Sequence, residues 1–361
     1  MSSLSSLRYK SRPDLSPPEL RITIPANPNK VAPGYLFITP CALFDGPRGS
    51  SPEQPGAHIL DNNGDLVWSS LGFLGGWTAN FRATRYRGRP VLQSFTGILA
   101  RRHAHASGTP IFLDKLVSFH EFRIINEETA LVQVHQPKMM NLGKPGGDEG
   151  EGRSPTTAWD YFHTNSVDKA SDGHYIVSGR HMCAVYKISR LDGSLVWTLG
   201  GRRSMFSLQS GLSFAYQHDV QHRGFSHGGK TETLSLMDNH ARSDEQHLKA
   251  EQEGIHSRGL VIVIDHGAQT ATATKTLVPP DGILAGRQGN VQMLPNGNTL
   301  VGWGVRGALT EFSADGKSIF HAYLDADGEG GVQSYRAFRC GWEGRPREKL
   351  ALWCCGGRTG A

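Results

Sequence analysis

Val167-Asp-Lys-Ala-Ser-Asp-Gly-His-Tyr-Ile-Val-Ser-Gly179 and Val291-Gln-Met-Leu-Pro-Asn-Gly-Asn-Thr-Leu-Val-Gly-Trp303 align without a gap. Each stretch carries an Asx-Gly pair, Asp172-Gly173 or Asn296-Gly297, followed by a β-prone apolar run, which is the grammar of a hairpin. Each then continues through a second turn, Asp192-Gly193 or Asp315-Gly316, into Leu195-Val-Trp or Ser318-Ile-Phe. Ile59-Leu-Asp-Asn-Asn-Gly64-Asp-Leu-Val-Trp68 is an earlier, partial copy. Repeated hairpins of this kind are single units that cannot bury both sheet faces alone and must stack on neighbours. Radial stacking answers this, so the reading is an all-β protein, a β-propeller with a central channel. At about 40–50 residues per blade, the 361 residues admit six to eight blades, and six is the expectation once tail and linkers are set aside. Residues 1–30 are read as an N-terminal extension and 31–361 as one propeller domain. A pair of β-sandwiches accommodates the repeat less well.

The rest of the chain agrees. Strands are expected at Tyr35–Thr39, His58–Leu60, Leu66–Ser69, Pro90–Ser94, Glu121–Ile125, Thr129–His135, Tyr175–Gly179 and Ala184–Ser189. Later ones are Leu195–Leu199, Thr233–Asp238, Leu260–Asp265, Thr270–Leu277, Thr299–Gly302, Leu309–Ser313 and Ser318–Tyr323. The best helical candidate is Ser243 to Gly254, with Ser243 as N-cap. The 44 glycines, about 12% against a usual ~7%, are then turn punctuation. A net charge of +5, from 38 Lys+Arg against 33 Asp+Glu, is too small to make nucleic acid the main partner. No run approaches the ~18 apolar residues of a membrane span, so no membrane partner is expected. The polar N-terminus lacks the apolar region of a signal peptide, which reads as cytoplasmic, or as secreted had the N-terminus been shortened. Five cysteines exclude a disulfide scaffold and lack metal-ligand spacing. Free thiols are preferred for them over a Cys340–Cys354 or Cys340–Cys355 bridge. No metal or cofactor is expected, and the oligomeric state is left open.

In a propeller, polar residues just before an innermost strand face the channel mouth. Three segments qualify: Trp159-Asp-Tyr-Phe-His163-Thr-Asn165-Ser-Val167 with Ser178-Gly-Arg180-His181, then Phe214-Ala-Tyr-Gln217-His218-Asp219-Val220, then Leu236-Met-Asp238-Asn239-His240-Ala-Arg242. Together they would gather His163, His218, His240, Arg180 and Arg242. Imidazoles with guanidiniums suit a substrate bearing anionic oxygen, the imidazole as base or nucleophile and the guanidinium as clamp. Asp325-Ala-Asp-Gly-Glu-Gly330 resembles half a calcium loop but has Arg336 at its twelfth position, and is read as a turn.

These segments, with Gly193-Ser-Leu-Val-Trp-Thr-Leu-Gly-Gly201, Gln292-Met-Leu-Pro-Asn-Gly-Asn-Thr-Leu-Val-Gly-Trp-Gly304, Tyr9-Lys-Ser-Arg-Pro-Asp-Leu15 and Pro33-Gly-Tyr-Leu-Phe-Ile-Thr-Pro40, resemble the arylsulfotransferase family, in particular its fungal branch. The resemblance implies a six-bladed propeller. Bacterial members move a sulfuryl group from one phenol ester to another phenol through a transiently sulfated histidine. On the matching motifs His163 and His218 would be supporting imidazoles and Arg242 the sulfate clamp. The sequence departs from the family where the nucleophile is expected: Arg287, in Gly286-Arg-Gln-Gly-Asn290, takes the position equivalent to His163, and no histidine lies between His266 and His321. His163 or His218 would then carry the nucleophilic role. Arg180, His240, Asn165, Arg287, Trp303 and Trp159 are expected to line the substrate, a small aromatic or enolic molecule. Two other functions fit the same residues. One is a cofactor-independent cyclase or isomerase of fungal secondary metabolism, with His163 or His218 as base, an arginine as oxyanion stabiliser and Trp303 or Trp159 as aromatic wall. The other is a propeller that only binds partners.

Overall fold

The computed structural model describes residues 9–10, 14–42, 54–71, 77–98, 101–106, 109–111, 116–135, 160–240, 255–325, 331–344 and 353–354. Among them there is no α-helix, only short 3-10 turns, and no helix long and apolar enough to cross a membrane. The candidate helix after Ser243 and the calcium-like loop after Asp325 lie outside the described residues.

Four sheets are blades of consecutive antiparallel strands. The first holds β7 (Trp77–Tyr86), β8 (Arg89–Ile98), β9 (Arg101–Ala106) and β10 (Thr109–Ile111). The second holds β13 (Thr164–Lys169), β14 (Tyr175–Gly179), β15 (Ala184–Ile188) and β16 (Leu195–Gly200). The third runs β18 (His218–Ser226), β19 (Thr231–Asp238), β20 (Arg258–Asp265) and β21 (Thr270–Leu277), with β17 (Ser207–Leu208) added in parallel at its rim. The fourth runs β22 (Asn290–Met293), β23 (Thr299–Gly302), β24 (Ala308–Phe312) and β25 (Ser318–Tyr323). Its rim is β2 (Arg21–Ile24), so part of the expected N-terminal extension is a strand of a blade.

The remaining strands are assembled differently. β3 (Tyr35–Ile38), β5 (His58–Leu60) and β6 (Leu66–Ser69) form a four-stranded sheet with β27 (Phe338–Cys340) from the other end of the chain. Three pairs complete the set: β11 (Leu116–Ile125) with β12 (Thr129–His135), β4 (Pro40–Ala42) with β26 (Val332–Ser334), and β1 (Tyr9–Lys10) with β28 (Trp353–Cys354). The expected six blades are therefore corrected to four built from consecutive strands. Length arithmetic assumes that every blade is one run of chain, whereas one sheet here joins the two ends and, among the described residues, the β11–β12 sheet has two strands.

The propeller arrangement appears in which strands touch. β7 lies against β11, β11 against β13, β13 against β18, β18 against β22, and β27 back against β7. Between the blades the cores are apolar. Ile176, Val185 and Leu199 of one sheet pack with Val220, Leu234 and Ile262 of the next. Leu36, Ile38 and Leu60 pack with Leu300, Leu309 and Phe320 where the chain ends meet. Middle strands such as β23 and β24 are buried along their whole length, so side chains on both sheet faces find a neighbouring blade. The innermost strands carry polar residues, and there the site forms.

Candidate active site at the entries to the innermost strands

The innermost strands start irregularly. Their pairing shifts register between Ala79 and Arg82, Val117 and Phe122, Thr164 and Ser166, and His218 and Gln221. Such bulges re-aim side chains. Asn80, His163, Asp219 and Gln288 take left-handed backbone angles at these entries, with φ of 54°, 48°, 52° and 66°. Non-glycine residues hold that conformation only where surrounding contacts over-determine it.

The bulges bring a charged cluster to the axis. Arg336, just ahead of β27, donates from Nη1 to Asn80 Oδ1 (2.8 Å) and to Glu121 Oε1 (3.1 Å), and from Nη2 to Glu121 Oε2 (3.2 Å). Its Nε lies 3.4 Å from Asp219 Oδ1. Burial opposes the Arg336 charge, but Glu121 and Asp219 outweigh it and hold the guanidinium more firmly protonated than usual. Burial raises the Asp219 carboxyl in spite of Arg336. Two residues further along the same strands, Arg123 bonds Gln221 and Asp168. This interior ties the inner strands together and leaves its charges paired.

Above it sits a group of imidazoles. The ring Nδ1 of His163 is hydrogen-bonded to Asp160 Oδ2, and the His163 backbone N–H donates to Asp160 Oδ1 (3.0 Å). His181 lies beside it, ring centroids 4.8 Å apart, and His120 approaches edge-on at 5.1 Å. His181 Nδ1 is bonded to the Asp160 carbonyl oxygen, and its Nε2 accepts from Arg180 Nη1 (2.7 Å). Arg180 also donates to the Gly286 carbonyl (3.2 Å) and covers the Tyr216 ring at 5.4 Å. Burial and the neighbouring charges keep His181 more readily neutral than a free histidine. Burial alone would raise Asp160, but its bond to His163 and the nearby imidazoles bring it below the ordinary carboxylate range.

His218 is placed differently. The Gln288 backbone N–H donates to its Nε2 (3.2 Å), which leaves the proton on Nδ1, donated to Asn239 Oδ1 (2.7 Å). Asn239 is itself locked, its amide donating to the Ala285 and Gln288 carbonyls. Burial first, then the Arg180 charge, press the His218 pKa well below the usual value. Both nitrogens are used, so His218 is a structural neutral imidazole rather than a base or nucleophile.

The other expected residues divide. Asn165 is buried, donates to the Gln217 carbonyl (2.6 Å), and keeps its Oδ1 without a partner among the described residues. His240 has a φ of 63° and lies 3.5 Å from Asp238 Oδ2, which Arg258 already holds at 2.7 Å. Arg287 is half-buried, its carbonyl accepting from Val305 N–H. Trp303 is corrected from substrate wall to core: fully buried, it packs with Met237, Leu277 and Phe312 and donates to Thr310 Oγ1 (2.8 Å). Arg242 and Trp159 lie outside the described residues. Sequence reading missed Asp160 as a partner of His163, and missed His120 and Arg336. The Asp-x-x-His spacing was a usable signal, whereas His120 fell just before the expected strand start at Glu121.

A separate cavity of about 340 Å³ is lined by Asp172, Lys187, Trp197, Phe206, Phe225 and His266, none of them in the imidazole cluster. Its lysine is already held by Asp172 (2.7 Å) and Glu232 (2.9 Å) and lies 4.6 Å from the Phe225 ring centroid, so its cation is self-supplied. The cluster of His163, His181 and Asp160 is the better candidate.

Residues 123–325 match the family described as Arylsulfotransferase (ASST). No curated protein matches the chain. Among solved structures, the chain is similar to a protein of unknown function from Bacteroides caccae at 11% identity, covering 85% of this chain and 98% of that one with a TM-score of 0.44. It is also similar to a putative 6-phosphogluconolactonase from Bacteroides fragilis at 12% identity, covering 84% and 97% with a TM-score of 0.38. Likenesses this distant carry nothing about chemistry.

Proposed function

Because the chain belongs to the arylsulfotransferase (ASST) family, we propose that it moves a sulfuryl group from an aryl sulfate to a phenolic acceptor at the channel mouth, with His163 as the nucleophile. One observation carries this: of His163, His181 and His218, only His163 keeps a ring nitrogen, Nε2, without a hydrogen-bond partner among the described residues. Asp160 holds the proton on Nδ1, so the Nε2 lone pair is available, the arrangement that activates an imidazole. In the first half-reaction Nε2 bonds to sulfur as the aryl S–O bond breaks, and the phenolate leaves to take a proton from solvent. Asp160 then balances the positive charge left on the ring. In the second, the acceptor oxygen bonds to sulfur, the N–S bond breaks, and the acceptor proton passes to solvent. Arg180, 8% exposed and bonded to His181, is a guanidinium beside this imidazole pair and suits the sulfonate oxygens. The motifs at Tyr9–Leu15 and Pro33–Pro40 support placing the chain in the fungal branch.

A chromogenic aryl sulfate offered with simple phenols tests the reading. Acceptor-dependent phenol release is expected, with a sulfated His163 peptide in acid-free mass spectrometry and a loss of about 100-fold or more in His163→Ala. Release no faster than the uncatalysed rate with every acceptor would overturn it. A second reading is favoured by the occupied nitrogens of His218, which leave one imidazole where a relay was expected to have support. His163 would then be the general base of a cyclase or isomerase, and activity on an enolic substrate without any sulfate donor would distinguish it.

A further inference from the structure

Asp160, His163 and His181 present one oxygen and two nitrogen ligand atoms that all lie within 4.8 Å of one another. Two ligands sharing one ion at roughly 2.1 Å stand about 3.4 Å apart, so small side-chain rotations would close the set. The loops that carry them are already tied together. Arg180 N–H donates to the His163 carbonyl (3.1 Å), His181 N–H to the Phe162 carbonyl (3.4 Å), and Cys183 N–H to the Arg180 carbonyl (3.1 Å). The His163 backbone is held in the left-handed region with its N–H on the Asp160 carboxylate. Ligands on a cross-linked pair of turns are pre-organised, which is what a metal site requires of its scaffold. Two imidazoles with one carboxylate is a donor set for zinc and its first-row neighbours, not for calcium or magnesium.

We propose that Asp160, His163 and His181 form a binding site for a divalent transition-metal ion at the channel mouth. The ion takes the place of the proton between Asp160 and His163, and in the neutral ring that proton moves to Nε2 rather than leaving the protein, since imidazole ligates in its neutral form. At least one coordination position is left for water or an oxyanion, and Arg180 beside His181 provides a positive charge that favours the oxyanion. A metal on Nδ1 of His163 forces the remaining ring proton onto Nε2 and removes the lone pair that attacks sulfur. The loaded protein is then inert in sulfuryl transfer. This last consequence rests on the function proposed above, whereas metal binding does not.

The test uses the full chain, stripped with a chelator and titrated with Co²⁺, whose visible bands report imidazole ligation, and with Zn²⁺ by calorimetry. Saturable one-to-one binding is expected. Asp160→Asn and His181→Gln should each weaken it by about 10-fold or more, while His227→Gln, on an exposed turn, leaves it unchanged. Thermal melts of each variant establish that it is folded. Absence of saturable Co²⁺ and Zn²⁺ binding, or undiminished binding in both ligand variants, would overturn the site. If Zn²⁺ binds as expected but aryl sulfate turnover continues unchanged, the site stands and the nucleophilic role of His163 fails.

Discussion

His163 and His218 stand at corresponding places, each at the entry to an innermost strand, yet their rings have opposite fates. The first is partly exposed with one nitrogen held by Asp160, and the second is buried with both nitrogens occupied. Removing the second therefore costs stability. His218→Leu strands the Gln288 N–H and the Asn239 oxygen, and a loss of about 2–3 kcal/mol in urea unfolding is expected. The same residue makes stability depend on pH. Its folded pKa lies well below 6.5, so the unfolded chain binds the extra proton first as pH falls. Its contribution is whole above about pH 6.5 and declines on acidification, by up to about 1.4 kcal/mol per pH unit. His218→Leu should have a shallower decline between pH 6.5 and 5 than the parent. An equal slope would mean that this ring is not the titrating group.

At the scale of the element, the two repeats that decide the fold close on the same turn. Gly173 and Gly297 both have φ of +88°. The Asx side chain before each accepts from the residue after it, Asp172 from His174 (3.1 Å) and Asn296 from Asn298 (3.2 Å). A Cβ at position 297 would meet only Ala314, at an ordinary 3.5 Å, so the strain of Gly297→Ala lies in the backbone. A loss of about 1 kcal/mol is expected from denaturant midpoints. These outer elements were readable because alternating apolar residues and Asx-Gly turns are local signals. The innermost strands β7, β13, β18 and β22 were not among the expected strands. They carry polar residues toward the axis, and in β7, β13 and β18 bulges break the period of two. Local patterning thus fails at the strands that build the site.

For the whole molecule, the centre and the closure matter most. Arg336 and Glu121 are both buried, and they lie 215 residues apart in sequence. Arg336→Met would leave the Glu121 carboxylate unpaired and should cost about 3–5 kcal/mol. The double variant Arg336→Met, Glu121→Gln removes that uncompensated charge and should regain much of the loss. If the single and double variants are equally unstable, the ion pair is not the reason. The closing sheet works at the same scale. β27 pairs with β3 in register from Phe338 opposite Phe37 to Cys340 opposite Tyr35, so the two ends of the chain share one sheet.

The sequence by itself determined the all-β class, the repeated turn and the family likeness. All of these rest on local pattern, on residues whose neighbours in space are their neighbours along the chain. Tertiary structure alone decided which imidazole keeps a lone pair, that Trp303 belongs to the core, that Asp160 and His181 converge on His163, and how the chain ends close the ring. The partners that settle those questions are remote. Gln288 reaches His218 across 70 positions and Gly286 reaches Arg180 across 106. A side chain's protonation and role follow from the groups that pair with it on burial, and no local pattern specifies them.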